Sequence, residues 1–352
     1  MQNIKMIFKY ISAIVALASG LVIKASAANN DDKSRLIVFG DSLSDIGNIE
    51  KFVSVNLYWE NRLTNGPTWC EYTAALLNKT LVDYAISGST SSDMVGMVQL
   101  LSNNLPNAIE QARLFLKLNS DSGPREGDVV VIETGANNLI YEMLNPPRLI
   151  LTTESLISQI TNDIRQTIRI MADGGYRRFL VMDLPDVALT PIAGNSLFLK
   201  KLYKGITDKV NQRLNETLMY FTEYYGYSLD YVKTFSLSNL TEIVSKPSVA
   251  FNAGITNIEK PCVNGITSLF PACDDEENHL FYDLVHPSAK IHYLIGLLAK
   301  NTIEEDDYKF DQESVIDIIK SNNISNVTSD NNIVVNAGIK NVPAYGQVTE
   351  KF

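Results

Sequence analysis

Four short apolar runs recur along the chain, and each stops at small or polar residues. Leu36–Phe39 ends in Gly40-Asp41-Ser42, and Leu81–Ala85 ends in Ile86-Ser87-Gly88. Val129–Ile132 leads into Glu133-Thr134-Gly135, and Phe179–Met182 into Asp183-Leu184-Pro185. Runs rich in branched residues and bounded by glycine or proline read as strands covered on both faces, hence parallel. Between them, Thr68–Leu77, Ala108–Leu118 and Thr153–Met171 place apolar residues three and four apart, the spacing of amphipathic helices. This alternation predicts a three-layer α/β/α sandwich with a central parallel sheet and right-handed crossovers. Ligands of such sheets bind at the carboxyl ends of the strands, where the small and polar residues just quoted fall.

Beyond Ala188 the pattern is harder to read. It predicts a long amphipathic helix near Leu197–Tyr225, a strand at Tyr227–Val232 and a cysteine-bounded loop. From about Ile303 to Phe352 the chain is polar and Asn-rich with an acidic start, which suits either a flexible tail or a docked extension.

The N-terminus carries a different signal. Lys5 and Lys9 precede a nearly continuous apolar run, Tyr10–Ile23, followed by Lys24 and Ala25-Ser26-Ala27. A basic start, an apolar stretch and an A-x-A site describe a secretory signal peptide cleaved after Ala27. The alternative is an uncleaved anchor, for which the run falls short of the roughly 20 residues a spanning helix needs. The formal net charge of the 352 residues is −10, and removing residues 1–27 takes three lysines and no acids, leaving −13. Such a surface opposes nucleic acid by charge alone. Export also changes how the three cysteines read. Cys262 and Cys273 flank an apolar loop, and in an oxidising compartment a disulfide between them is the expected pairing; three reduced buried thiols are the alternative. The chain has no CxxC and only three histidines, so no metal site is expected.

Ser42 is expected in a tight turn directly after a strand, exposed at a sheet edge, where a nucleophile would serve. Taken alone, a Gly-Asp-Ser turn is more often a simple cap. A nucleophilic serine needs a base. His286 stands in Asp283-Leu284-Val285-His286-Pro287, held at the start of an apolar helix because Pro287 suits its first turn. Asp283 can fold back onto one ring nitrogen and leave the other free to take the serine proton. A structural turn before a helix would use the same residues. His279 and His292 have no comparable partner in the sequence. Oxyanion donors are the third requirement. Gly88 can offer a backbone N–H without a side chain in the way, and Asn137 follows another strand with a side-chain amide, although both residue types commonly just form turns.

Taken together, these segments resemble the GDSL (SGNH) hydrolases. Phe39-Gly40-Asp41-Ser42-Leu43-Ser44-Asp45-Ile46-Gly47-Asn48 is similar to the first block of that family; Gly88, Gly135-Ala136-Asn137 and Asp283-Leu284-Val285-His286-Pro287 match the later blocks in order. The third block usually ends in aspartate where this chain has Asn138, a departure that bears on polarity behind Asn137. The other serine-hydrolase signature, Gly-x-Ser-x-Gly, is absent. The resemblance implies a flavodoxin-like hydrolase domain over residues 34–302, with a disulfide loop at 262–273 and an extension at 303–352. It implies catalytic Ser42, Asp283 and His286, oxyanion donors Ser42, Gly88 and Asn137, and no cofactor.

Asn65-Gly66-Pro67-Thr68-Trp69 and Asp183-Leu184-Pro185-Asp186 look most like the branch of secreted lysophospholipases A, glycerophospholipid:cholesterol acyltransferases and thermolabile haemolysins. That branch implies a lysophospholipid or phospholipid substrate, a sterol as acyl acceptor and transient contact with a lipid surface. Tyr58, Trp59 and Trp69 are candidates for lipid contact, with core packing the commoner role for such side chains. The Cys262–Cys273 loop is expected either to gate the lipid entrance or to act as a staple. The rival readings are an esterase of short-chain or acetylated carbohydrate esters and a secreted binding protein without catalysis.

Overall fold

The computed structural model describes residues 33–52, 58–93, 105–143, 146–224, 228–264 and 272–347. The expected signal peptide at 1–27 lies outside the described residues, as does most of the apolar interior of the cysteine loop. Five strands, β1 (Arg35–Gly40), β2 (Thr80–Asp83), β3 (Val129–Glu133), β4 (Arg178–Met182) and β5 (Tyr231–Phe235), form one sheet in the order β2-β1-β3-β4-β5. Every pairing is parallel. The helices that matter here are α1 (Trp69–Leu76), α2 (Ala108–Leu118), α3 (Ala136–Met143), α4 (Pro146–Asp173), α5 (Leu197–Tyr224), α6 (Leu237–Val244), α7 (Ala289–Glu304) and α8 (Gln312–Ser321).

The continuous apolar runs are explained by two covered faces. Leu36, Val38, Val129, Val131, Leu180 and Met182 point into one layer, with Trp69 and Tyr72 of α1 and Leu294 and Leu298 of α7. Ile37, Phe39, Val130, Ile132, Phe179 and Val181 point into the other, with Phe115 of α2, Ile160 and Ile164 of α4 and Val210 of α5. Alternate side chains along each strand face opposite layers, so neither face can be polar. The three-layer α/β/α sandwich expected from the sequence is the observed fold.

Three elements differ from expectation. The last strand spans Tyr231–Phe235 rather than Tyr227–Val232. It is one sheet edge, buried only at Phe235, and its sequence lacks the continuous apolar run that marks the central strands. β2 is the other edge: Thr80, Leu81 and Val82 are only half-buried, so the run Leu81–Ala85 is not covered on both faces as expected. Helix α4 starts at Pro146, seven residues before the expected Thr153; Pro146 and Pro147 occupy a first turn that needs no amide donors.

Beyond α7 the chain returns to the body of the protein. Val315 and Ile319, one helical turn apart on α8, are fully or almost fully buried, and Ile324, Val327 and Val334 join the same core. Tyr345 reaches the opposite layer, where its ring meets those of Phe52 and Tyr84 and its N–H donates to Asn48 Oδ1 at 3.1 Å. This segment is docked. No helix among the described residues is long and apolar enough to cross a membrane.

The strand order sets where a site can form. From β1 the chain crosses to β2 on one side, then back past β1 to β3 on the other. The crevice at that reversal lies outside the carboxyl ends of β1 and β3. Ser42 follows β1, and Asn137 follows β3.

Candidate active site

The turn after β1 is built by Asp41, whose carbonyl accepts from Ser44 N and Asp45 N at 3.1 and 3.0 Å. It presents Ser42, 8% exposed, on the cleft side. The partner loop comes from the far end of the chain. Tyr282 N donates to His286 O at 2.8 Å, and Ser288 N to Leu280 O at 3.0 Å, closing a tight loop directly before α7. Thr64 Oγ1 donates to Pro287 O, and Asn65 Oδ1 accepts from Ala289 N at 2.8 Å, so the Asn65-Gly66-Pro67 segment pins the start of α7.

Within that loop Asp283 Oδ1 accepts from Val285 N and His286 N at 2.9 and 2.8 Å. Its Oδ2 lies 2.6 Å from His286 Nδ1, and His286 Nε2 lies 2.7 Å from Ser42 Oγ. A carboxylate opposite Nδ1 requires the proton there, which leaves Nε2 to accept from the serine hydroxyl. Burial alone would raise the Asp283 carboxyl; the His286 ring and the two backbone donors outweigh it and hold the group below the usual carboxylate range. Ser42, Asp283 and His286 thus form one hydrogen-bonded chain across 244 positions of sequence.

The other two expected oxyanion donors follow β2 and β3, the strands neighbouring β1. Gly88 has φ +86°, a conformation that favours glycine, and its carbonyl accepts from Tyr141 Oη at 2.9 Å. Asn137 Nδ2 donates to Ser89 O at 2.8 Å, which orients the amide and leaves its second N–H available. Asn137 lines the cleft with Ser42 and His286, whereas Gly88 is not among the lining residues. Asn138, where the family usually has aspartate, is fully buried and exchanges two hydrogen bonds with Ser91. Ser91 and Ser92 in turn donate to Asp163, so a carboxylate does lie behind this cluster, supplied by α4.

The cleft itself is apolar. Leu237, Leu240, Val244, Leu280, Phe281, Val285, Ile291 and Ile295 wall a space of about 760 Å³, solvent at its mouth included. The three aromatic residues singled out for lipid contact do not line it. Trp69 is buried and donates to Ser44 Oγ, Trp59 stacks under the Arg62 guanidinium, and Tyr58 is buried behind the site. His292 is neutral: burial first, and then the His286 ring, push it down to about 3. His279 does have a carboxylate neighbour, Asp275 at 3.3 Å, contrary to the sequence reading, but it lies away from the cleft lining. The Cys262–Cys273 disulfide is formed, and Cys70 is a buried thiol. Cys273 also approaches Asp275 and His279, a grouping of metal-ligand types whose sulfur is committed to the disulfide.

Several buried acids under the cleft carried no separate sequence signal. Asp45 accepts from Gly47 N, Asn48 N, Ile49 N and both Ser87 N and Oγ, tying the turn after Ser42 to the residue before Gly88. Burial raises its carboxyl to about 6 against these donors. Asp41 and Glu133, at the ends of β1 and β3, face each other. Asp41 Oδ2 meets no N–H or O–H donor among the described residues, and the two carboxyls can bond only by sharing a proton. Burial raises both above the ordinary carboxylate range.

Residues 36–298 match the family model of the GDSL-like lipases and acylhydrolases. The chain is 28% identical over 286 residues to the secreted effector protein SseJ of Salmonella typhimurium, covering 77% of this chain and 64% of that protein. It is 22% identical over 313 residues to the thermolabile hemolysin of Vibrio parahaemolyticus, with 81% and 68% covered. Over 244 residues it is 25% identical to the phosphatidylcholine-sterol acyltransferase of Aeromonas hydrophila, with 66% of each covered. The chain therefore spans just under two thirds of the Salmonella relative's length.

The buried acids give a pH prediction with a definite sign. In the unfolded chain Glu133 ionises near 4.5, whereas the folded protein keeps the Asp41–Glu133 proton to higher pH. The unfolded state then binds fewer protons, so this contribution to stability is present at low pH and is lost as pH rises through the folded value. Glu133→Gln keeps a partner for Asp41 and removes the titration. Its melting temperature relative to the unsubstituted protein should be higher at about pH 8 than at about pH 5, read by thermal denaturation. A pH-independent difference would contradict the shared proton.

Proposed function

Because the chain belongs to the GDSL lipase/acylhydrolase family of hydrolases and acyltransferases, we propose that it is an exported serine esterase of lipid esters, acting as a lysophospholipase A or phospholipase A with a sterol as an alternative acyl acceptor. The observation that carries this reading is an apolar-walled cleft opening on a serine hydroxyl that already lies 2.7 Å from an imidazole nitrogen. Its chemistry runs in two steps. His286 Nε2 takes the Ser42 proton as Oγ bonds to the ester carbonyl carbon, and the carbonyl oxygen becomes an oxyanion held by Ser42 N–H, Gly88 N–H and the Asn137 amide. The carbon–oxygen bond to the alcohol breaks, and that alcohol leaves with the proton from His286. Water or a sterol hydroxyl then gives its proton to His286 and attacks the acyl carbon; the bond from that carbon to Ser42 Oγ breaks, His286 returns the proton to Oγ, and a fatty acid or a sterol ester is released.

Export is supported by the Cys262–Cys273 disulfide, since such bridges persist in oxidising compartments. The lipid assignment is supported by the wall of the cleft and by relatives whose names specify hemolysin and phosphatidylcholine-sterol acyltransferase.

Product analysis tests the substrate class. Purified protein given lysophosphatidylcholine should release free fatty acid, and added cholesterol should divert part of the product to cholesteryl ester. Turnover of p-nitrophenyl acetate or acetylated xylan without turnover of lysophosphatidylcholine would favour the short-chain reading instead. For the oxyanion assignment, Asn137→Ala should lower kcat by about 100- to 1,000-fold while thermal unfolding stays cooperative. Near-normal turnover would remove Asn137 from that role.

A further inference from the structure

Asp283 has a partner that belongs to neither its own loop nor the cleft. Tyr58 Oη donates to Asp283 Oδ2 at 2.7 Å, on the same oxygen that faces His286 Nδ1. The phenol reaches it from 225 positions away, and both residues are almost wholly buried. We propose that Tyr58 is a positioning residue for the ester chemistry, fixing the plane of the Asp283 carboxylate so that it faces the imidazole. The proposal rests on Ser42, His286 and Asp283 acting as described above, and it adds a residue outside the four family blocks.

The geometry explains why a second anchor is needed. The Cβ–Cγ torsion of an aspartate is soft and roughly two-fold rather than locked in one rotamer. Val285 N and His286 N hold only Oδ1, and His286 is the group to be oriented, so it cannot also serve as the reference. Tyr58 holds Oδ2. The carboxylate then has four donors, two on each oxygen, in a place from which water is excluded. Such outer hydrogen bonds are what keep an active constellation within productive geometry.

Tyr58 is itself held. Its ring meets Tyr282 edge-on with centroids 5.7 Å apart, in a small apolar cluster with Cys262 and Val263. Leu63 and Cys273 pack against that cluster, so the disulfide helps to set the position of the phenol. Burial, and then the charge of Asp283, push the Tyr58 hydroxyl above its ordinary value, so it remains a donor at any working pH.

The test is a double-mutant cycle on a soluble p-nitrophenyl ester. Tyr58→Phe keeps the ring and its packing and removes only the donor. It should lower kcat about tenfold with KM unchanged, the scale on which loss of one hydrogen bond to a charged group registers. In an Asp283→Ala background the same substitution should cost nothing further, because Tyr58 acts through Asp283. Tyr58→Phe with unchanged kcat, or a loss of equal size in both backgrounds, would overturn the proposal while leaving the Asp283 assignment intact. If Asp283→Ala were itself silent, the reading of the site would fail and this inference with it. A role in packing alone would lower the melting temperature without separating kcat from KM.

Discussion

A carboxylate sealed from water is costly unless its charge is met by donors on every side. At 1% exposure, Asp283 imposes that constraint on the architecture around it. Two backbone N–H groups come from its own turn, one donor is the imidazole and one is the Tyr58 phenol. Meeting the demand shapes the 280–288 loop, positions the start of α7 and brings the disulfide cluster against the site. The same arrangement leaves His286 Nε2 as an acceptor facing Ser42. The satisfaction of the buried carboxylate and the geometry on which the proposed chemistry rests are therefore two consequences of one set of hydrogen bonds.

The other half of the site comes from topology. A parallel sheet that reverses direction beside β1 leaves a crevice between the ends of β1 and β3, and the turns there must be tight. Gly40 shows how tight: a Cβ at that position would lie 2.3 Å from Glu133 O. Packing strand ends this closely also traps acids. Asp41, Asp45 and Glu133 lie fully or almost fully buried under the cleft. Asp45 is satisfied by five donors, while Asp41 keeps one oxygen without a hydrogen-bond partner beside Glu133, and burial first, then the neighbouring carboxylate, raises its carboxyl. The serine turn is thus tied to the protonation of buried acids, of which Asp41 also lines the cleft.

How far this could be read from sequence depended on whether the information was local. The central strands were legible because both faces are covered, which leaves continuous runs such as Leu36–Phe39; the edge strand β2 still carries Leu81 and Val82, whereas the edge strand β5, YVKTF, alternates with Lys233 and Thr234 and was displaced. Ser42 and His286 stood out by residue type and by their turns, and with three histidines in the chain few bases could compete. The docking of residues beyond Ile303 was ambiguous because their composition is polar; only sparse pairs such as Val315 and Ile319 record the buried face. Tyr58 was visible as an aromatic residue, but its role depends on a partner 225 positions away. The Asp41–Glu133 contact is likewise a product of strand register, Gly40 lying opposite Glu133, and no spacing rule exposes it.

The central claim is that Ser42 is a nucleophile made reactive by His286. The most direct measurement is peptide-resolved mass spectrometry after exposure of the purified protein to a fluorophosphonate. The account predicts one stoichiometric adduct on the peptide containing Ser42, abolished by denaturation beforehand and strongly slowed in His286→Ala. An unmodified Ser42 in folded protein, or an adduct that forms at the same rate without His286, would contradict it.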